Sequence, residues 1–115
     1  MAVIGVGIDT VEIARMREIL REDTEQFMQN TFTEHERAYC DRFADPAPHY
    51  AGTFAAKEAS RKATGDLTRP FNAIEVIRSE QGKPELWCDG SRVDALHLSI
   101  THTHTDATAI VIFSS

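Results

Sequence analysis

The chain has 115 residues, of which 42% are hydrophobic and 26% charged, and its formal net charge is −6. That length suits one domain over 1–115, and the acidic balance argues against a duplex nucleic-acid binder, which needs a cationic stripe. No apolar run approaches the roughly 20 residues that span a bilayer, and Cys40 and Cys88 lack CxxC spacing, which excludes a disulfide framework or a cysteine zinc site. The apolar opening Met1–Ile8 has no basic head and meets Asp9 too early for a signal peptide, so the expected location is cytoplasmic.

Residues 2–8 (AVIGVGI) read as a buried strand with Ala2, Ile4, Val6 and Ile8 on one face. Gly5 and Gly7 lie on the other face, in phase with Asp9, where missing side chains permit close approach of another chain or a ligand. A helix follows, with Asp9 or Thr10 as its cap and an acidic capping-box spacing from Asp9 to Glu12. Its apolar stripe is Ile13, Met16, Ile19 and Leu20, and Arg15, Arg17 and Arg21 point elsewhere. The next helix is expected near Thr33, with Glu36 three residues later. Ala44–His49, with Pro46 and Pro48, reads as a loop.

A third helix is predicted from Tyr50 to Thr64, rich in small residues and stopped by Gly65. Strand patterns fill the rest: 71–79, Glu85–Cys88, Ala95–Thr101 and a buried Thr108–Phe113, with turns at Gln81–Pro84 and Asp89-Gly90. In Ala95–Thr101 the apolar face is Leu96, Leu98 and Ile100, and the polar face is His97, Ser99 and Thr101. The fold class is α+β, with helices on one small antiparallel sheet whose open edges invite oligomerisation.

Several groups could carry chemistry. Asp9 ends an apolar strand and Glu58 lies among alanines. Two carboxylates with substrate phosphates suit Mg²⁺, but a helix cap at Asp9 and an i,i+4 pair between Glu58 and Lys62 account for the same residues. In HLSITHTH (97–104) hydroxyls and imidazoles could gather phosphate oxygens, or the segment is a solvated strand end. His102 and His104 form an HxH pair with no clear third zinc ligand. Lys57, Arg61 and Lys62 put three cations on one helical stretch, either a phosphate site or a solvated face. Gly82-Lys83-Pro84 is first a hairpin turn and secondarily a ligand contact.

Together, GVGIDTVEIAR (5–15), FAAKEASRKATG (54–65), IEVIRSEQGKP (74–84) and HLSITHTHTDATAIVI (97–112) are far more specific than any one of them. In order and spacing the chain resembles the holo-acyl-carrier-protein synthases, the short bacterial 4′-phosphopantetheinyl transferases. The resemblance implies transfer of the phosphopantetheine arm of coenzyme A to a serine of an acyl carrier protein, releasing adenosine 3′,5′-bisphosphate. It implies the 4′-phosphopantetheinyl transferase fold, with Mg²⁺ held by Asp9 and Glu58. Catalytic roles then fall to Asp9, Glu58 and His102, and coenzyme binding to Lys62, Gly65, Gly82, Lys83, Pro84, Thr101 and His102. It also implies a homotrimer with sites between subunits, an acyl carrier protein as partner, and no nucleic acid or membrane. A non-catalytic coenzyme A or nucleotide-binding module of the same fold is the alternative.

The sequence departs from the family pattern in two stretches. After Gly65 it runs through Asp66–Pro70, a shorter loop without the usual further glycine. Glu22, Asp23, Glu25 and Gln26 occupy a stretch that relatives often make basic to meet the acidic carrier protein.

Overall fold

A computed structural model describes residues 1–22 and 24–115. Of the acidic stretch Glu22–Gln26, Asp23 lies outside the described residues. The elements run β1 (Val3–Glu12), α1 (Ile13–Arg21), α2 (Glu25–Thr31), α3 (Glu34–Cys40) and α4 (Ala47–Thr64). A 3₁₀ turn at Phe71–Ala73 leads to β2 (Ile74–Arg78), β3 (Pro84–Cys88), β4 (Ser91–Arg92), β5 (Leu96–His102) and β6 (Asp106–Ser114).

Two antiparallel three-stranded sheets form, ordered β1-β6-β5 and β2-β3-β4, where the sequence suggested one. The second sheet exists because the Asp89-Gly90 turn, with φ of 52° and 83°, brings Ser91 and Arg92 back beside Cys88 and Trp87. α4 is the central element and packs against both sheets and against α1 and α3. Its alanines explain the geometry. Ala55, Ala56, Ala59 and Ala63 are buried against Val76, Leu86, Leu98 and Val111 in one core, and Ala47 and Ala51 join Ile13, Met16, Phe32 and Tyr50 in a second. Small side chains let the helix axis approach the sheets closely.

The glycine face of β1 is the buried one, reversing the expectation for residues 2–8. Gly5 and Gly7 lie directly under the carbonyls of Ala63 and Ala59, where an added Cβ would stand 2.0 and 1.8 Å from the carbonyl oxygens, far short of van der Waals contact. Gly7→Ala should therefore force the strand off α4, costing on the order of 3 kcal/mol of stability from overpacking. A Gly7→Ala variant whose thermal melting matches wild type would contradict this account of the contact.

The opposite face of that sheet is apolar and open. Ile4, Val6 and Ile8 are 60%, 56% and 57% exposed, and Ile8 and Val6 pair with Ile110 and Ile112 of β6. Antiparallel sheets commonly turn polar residues to water, and this contiguous isoleucine and valine face departs from that pattern.

Asp9 does not cap a helix. β1 continues past it because Thr10, Val11 and Glu12 keep pairing with Thr108, Ala107 and Asp106, and Glu12 becomes the uncapped start of α1. The expected helix start at Thr33 holds. The Thr33 hydroxyl accepts from the Glu36 N–H at 3.2 Å, and Glu36 accepts from the Thr33 N–H at 2.9 Å. α2 was not expected from the sequence. The loop reading of Ala44–His49 is half corrected, because Pro46 and Pro48 sit at the start of α4, where a missing N–H costs nothing. The final strand reaches from Asp106 to Ser114, and within it Ala107, Ala109 and Val111 are the fully buried apolar residues.

Candidate active site

Asp9 faces α4 because it shares the side of β1 that carries Gly5 and Gly7. Only 19% of its side chain is exposed. Lys62 reaches it from the last turns of α4, its Nζ donating to Asp9 Oδ1 at 3.2 Å and to the Ile8 carbonyl at 2.9 Å. The close strand–helix contact at the glycines makes that reach possible. Glu58 lies one helical turn before Lys62 on the same side of α4. It does not pair with Lys62 as the i,i+4 spacing suggested. Its described ionic neighbour is Arg61, at 4.0 Å. The end of β1 and one stretch of α4 thus present two carboxylates and an ammonium to the same part of the surface.

These donors fit a hard divalent cation. Both carboxylates keep part of their surface open, and Asp9 already holds a cationic Nζ. Among the described residues no group of three or more His, Cys, Asp or Glu gathers round one point. The chain therefore offers two carboxylates, not a closed cage. Among the described residues the His102/His104 pair meets no third ligand of these types.

Lys57, which the sequence grouped with Arg61 and Lys62, belongs elsewhere. It is fully buried and bonds Glu36 at 2.6 Å, with Nζ also donating to the carbonyls of Thr31 and Phe71. Glu36 in turn accepts from the Val76 N–H at 2.7 Å. Burial pushes the Glu36 carboxyl up and the Lys57 ammonium down, opposed in each case by the attraction of the partner. The pair joins α2, α3, α4 and β2 and is neither a phosphate site nor a solvated face.

His102, the last residue of β5, is not beside Asp9 in this chain. Asp9 pairs with Ala109, which pairs with Ile100, whereas His102 is in line with Ala107 and Val11. Two strand spacings and two residues along the strand separate their backbones by about 12 Å. His102 instead approaches His49 in the first turn of α4, with ring centroids 6.0 Å apart. His49 stacks on Phe43 at 3.5 Å. Burial holds the His49 imidazole below its usual range, and the charges of His102 and Arg78 push the same way. His49 had no signal in the sequence, because its partners come from α3, the loop after it and the end of β5. Thr101 points to the other face of the sheet, in register with Thr108, and Thr108 and Thr10 share a hydroxyl contact of 3.0 Å.

Gly65 is the left-handed cap of α4, at φ 75°. The short loop after it is braced. Asp66 Oδ1 accepts from the Thr68 hydroxyl and N–H, which hold its carboxyl below the usual range, and Arg61 donates to the Leu67 carbonyl. Gly82, Lys83 and Pro84 form a turn tied to Ser79, whose N–H donates to the Lys83 carbonyl at 2.8 Å. Lys83 and Pro84 border a cleft of about 430 Å³ that His97 and Leu98 also line.

Residues 5–112 match the model of the 4′-phosphopantetheinyl transferase superfamily. The chain belongs to that superfamily. A holo-[acyl-carrier-protein] synthase of Anaeromyxobacter sp. (strain K) is 39% identical, covering 96% of this chain and 94% of its own length. In the solved structures, the holo-(acyl-carrier-protein) synthase of Bacillus anthracis in complex with CoA (3′,5′-ADP) is 35% identical, with a TM-score of 0.80 over 98% of both chains. The Helicobacter pylori synthase in complex with coenzyme A is 27% identical, with a TM-score of 0.81 over 95% of this chain and 99% of its own. The transferase fold expected from the sequence is therefore the fold observed. Within this transferase, no described helix is long and apolar enough to cross a membrane.

Proposed function

We propose that this chain, acting as a single domain over 1–115, moves the 4′-phosphopantetheine arm of coenzyme A to a serine of an apo acyl carrier protein and releases adenosine 3′,5′-bisphosphate. The observation that carries the reading is Lys62 meeting Asp9 at the end of β1, with Glu58 one turn away, in a chain of this superfamily. The serine oxygen forms a bond to the phosphorus nearer the pantetheine. The bond from that phosphorus to the bridging oxygen breaks, and the bisphosphate leaves with the electron pair. Glu58 and His102 are the titratable groups available to take the serine proton. Asp9 and Glu58 would hold Mg²⁺, which when bound neutralises and orients the pyrophosphate. Lys62 and His102 stabilise negative charge on the transferred and leaving phosphates. Gly65, Gly82, Lys83, Pro84 and Thr101 are assigned to coenzyme contact. An enzyme consuming coenzyme A in this way works in the cytoplasm.

The site is completed between subunits of a homotrimer. Two features support this: about 12 Å of backbone separates Asp9 from His102 within one chain, and an open isoleucine and valine face asks for cover. His102 of one subunit then serves Asp9 and Glu58 of another.

The reaction is tested by incubating the protein with coenzyme A, Mg²⁺ and an apo carrier protein and weighing the carrier. The carrier should gain one phosphopantetheinyl group, and binding of coenzyme A without that gain would favour the non-catalytic module. Sharing is tested by mixing two inactive variants, His102→Ala and Glu58→Gln. Interfaces that combine an intact His102 with an intact Glu58 should work, so a fraction of wild-type activity should return. If native mass spectrometry shows subunit exchange and the mixture stays inactive, each site lies within one chain.

A further inference from the structure

The helix that carries Glu58 and Lys62 borders a separate cavity with its other side. Ser60 and Thr64 lie about half a turn round α4 from Glu58 and Lys62. They face a cavity of about 200 Å³ between the end of α4 and the β2-β3-β4 sheet. Ile74, Leu86, Val93 and Leu96 make its walls apolar, and Trp87, the single tryptophan of the chain, borders it. Leu86, Val93 and Leu96 also line the cleft beside Lys83 and Pro84, so they stand between the two spaces. No residue assigned above to metal or coenzyme lines the cavity.

One polar group inside it is unpaired. Ser60 is 2% exposed, and its hydroxyl makes no hydrogen bond among the described residues. The neighbouring Thr64 hydroxyl is engaged, donating to the Ser60 carbonyl at 3.1 Å and accepting from the Asp66 N–H at 3.2 Å. A buried hydroxyl without a partner costs stability, and a ligand that bonds it removes that cost. Water suits the place poorly, because it needs several polar partners and the walls are mainly carbon. The mouth sets the charge of the ligand. Arg69 is held there by Asp66 at 3.5 Å and Asp89 at 3.6 Å, and it donates to the Cys88 sulfur. One guanidinium against two carboxylates repels an anion, and an apolar interior does not replace the hydration of a cation. A cavity of about 150 Å³ holds benzene, so this one admits a single substituted ring and excludes a nucleotide or a peptide. We propose that the cavity is a binding site for a small neutral ring compound bearing one hydroxyl, which packs against Ile74, Leu86, Val93 and Leu96 and bonds Ser60.

The test titrates phenol, toluene and benzoate into the wild-type protein and into Ser60→Ala, read by Trp87 fluorescence and by backbone amide shifts. Phenol and toluene have nearly the same shape, and only phenol offers a hydroxyl. Phenol should bind wild type saturably, with shifts centred on Ile74, Leu86, Val93 and Leu96, and benzoate should not. Ser60→Ala, in a helix already rich in alanine, keeps the fold. It should weaken phenol about fivefold or more, the usual net value of a hydrogen bond, and leave toluene within about twofold. Ser60→Leu fills the space and should abolish binding of both. Should that variant fail to fold, the comparison in Ser60→Ala still decides. Saturating coenzyme A should not displace phenol, since no coenzyme residue lines the cavity. Phenol that does not saturate, equal effects of Ser60→Ala on phenol and toluene, or benzoate bound as tightly as phenol would each overturn the assignment. Displacement of phenol by coenzyme A would overturn it too, by making the cavity part of the coenzyme site.

Discussion

Glu58→Gln is expected to cut phosphopantetheine transfer by about three orders of magnitude while leaving the fold intact. The substitution keeps the size of the side chain and removes its charge. Glu58 is partly exposed, and its described ionic neighbour, Arg61, is 4.0 Å away, so little stability depends on it. Asp9→Asn removes the other carboxylate and also the partner of Lys62, so it should be equally inactive. Melting temperature and carrier mass, measured on the same preparations, separate loss of chemistry from loss of structure. Wild-type turnover surviving excess chelator would remove the reason for both predictions.

The second large effect is on stability. Lys57→Met should destabilise the protein by about 3–5 kcal/mol, because it leaves the Glu36 carboxylate buried without its cation. In a chain of this size that corresponds to a drop in melting temperature of roughly 10–20 °C. The sign of the pH dependence follows from the shift. A carboxyl whose folded pKa is raised costs nothing below its unfolded pKa, and the cost grows as pH climbs toward the folded value. Removing Lys57 raises the folded pKa further, so the defect should be smaller in mildly acid than in mildly alkaline buffer. Glu36→Gln in the same background should recover much of the loss, since an amide oxygen can still accept from a backbone N–H. A single variant that melts like wild type would show that the pair is not the joint between α3 and α4.

Both predictions concern neighbouring residues of one helix, and the sequence alone ranked them differently from the structure. Periodicity placed Lys57, Arg61 and Lys62 together as a basic cluster. Only the packing of α2, α3 and β2 around α4 sends Lys57 inward and leaves Lys62 to reach Asp9. Helical spacing states which residues share a side of a helix, but not which other elements cover that side.

Local physics was legible wherever the cause was local. The capping box of Thr33 and Glu36, the left-handed stop at Gly65, the Asp89-Gly90 turn and the alternation of Leu96, Leu98 and Ile100 all follow from short-range sterics and hydrogen bonding. The motifs around Asp9, Glu58, Lys62 and His102 pointed to the family that the chain proved to match. Tertiary structure decided the rest. β1 passes Asp9 because β6 continues to pair with it, its glycines face inward because α4 needs that space, and its isoleucines are left exposed on the opposite face. His49, Tyr39, Arg42 and Arg78 come together only when α3, α4 and the ends of β2 and β5 are folded side by side. Such a cluster draws on residues far apart in the chain, and no short-range pattern records it.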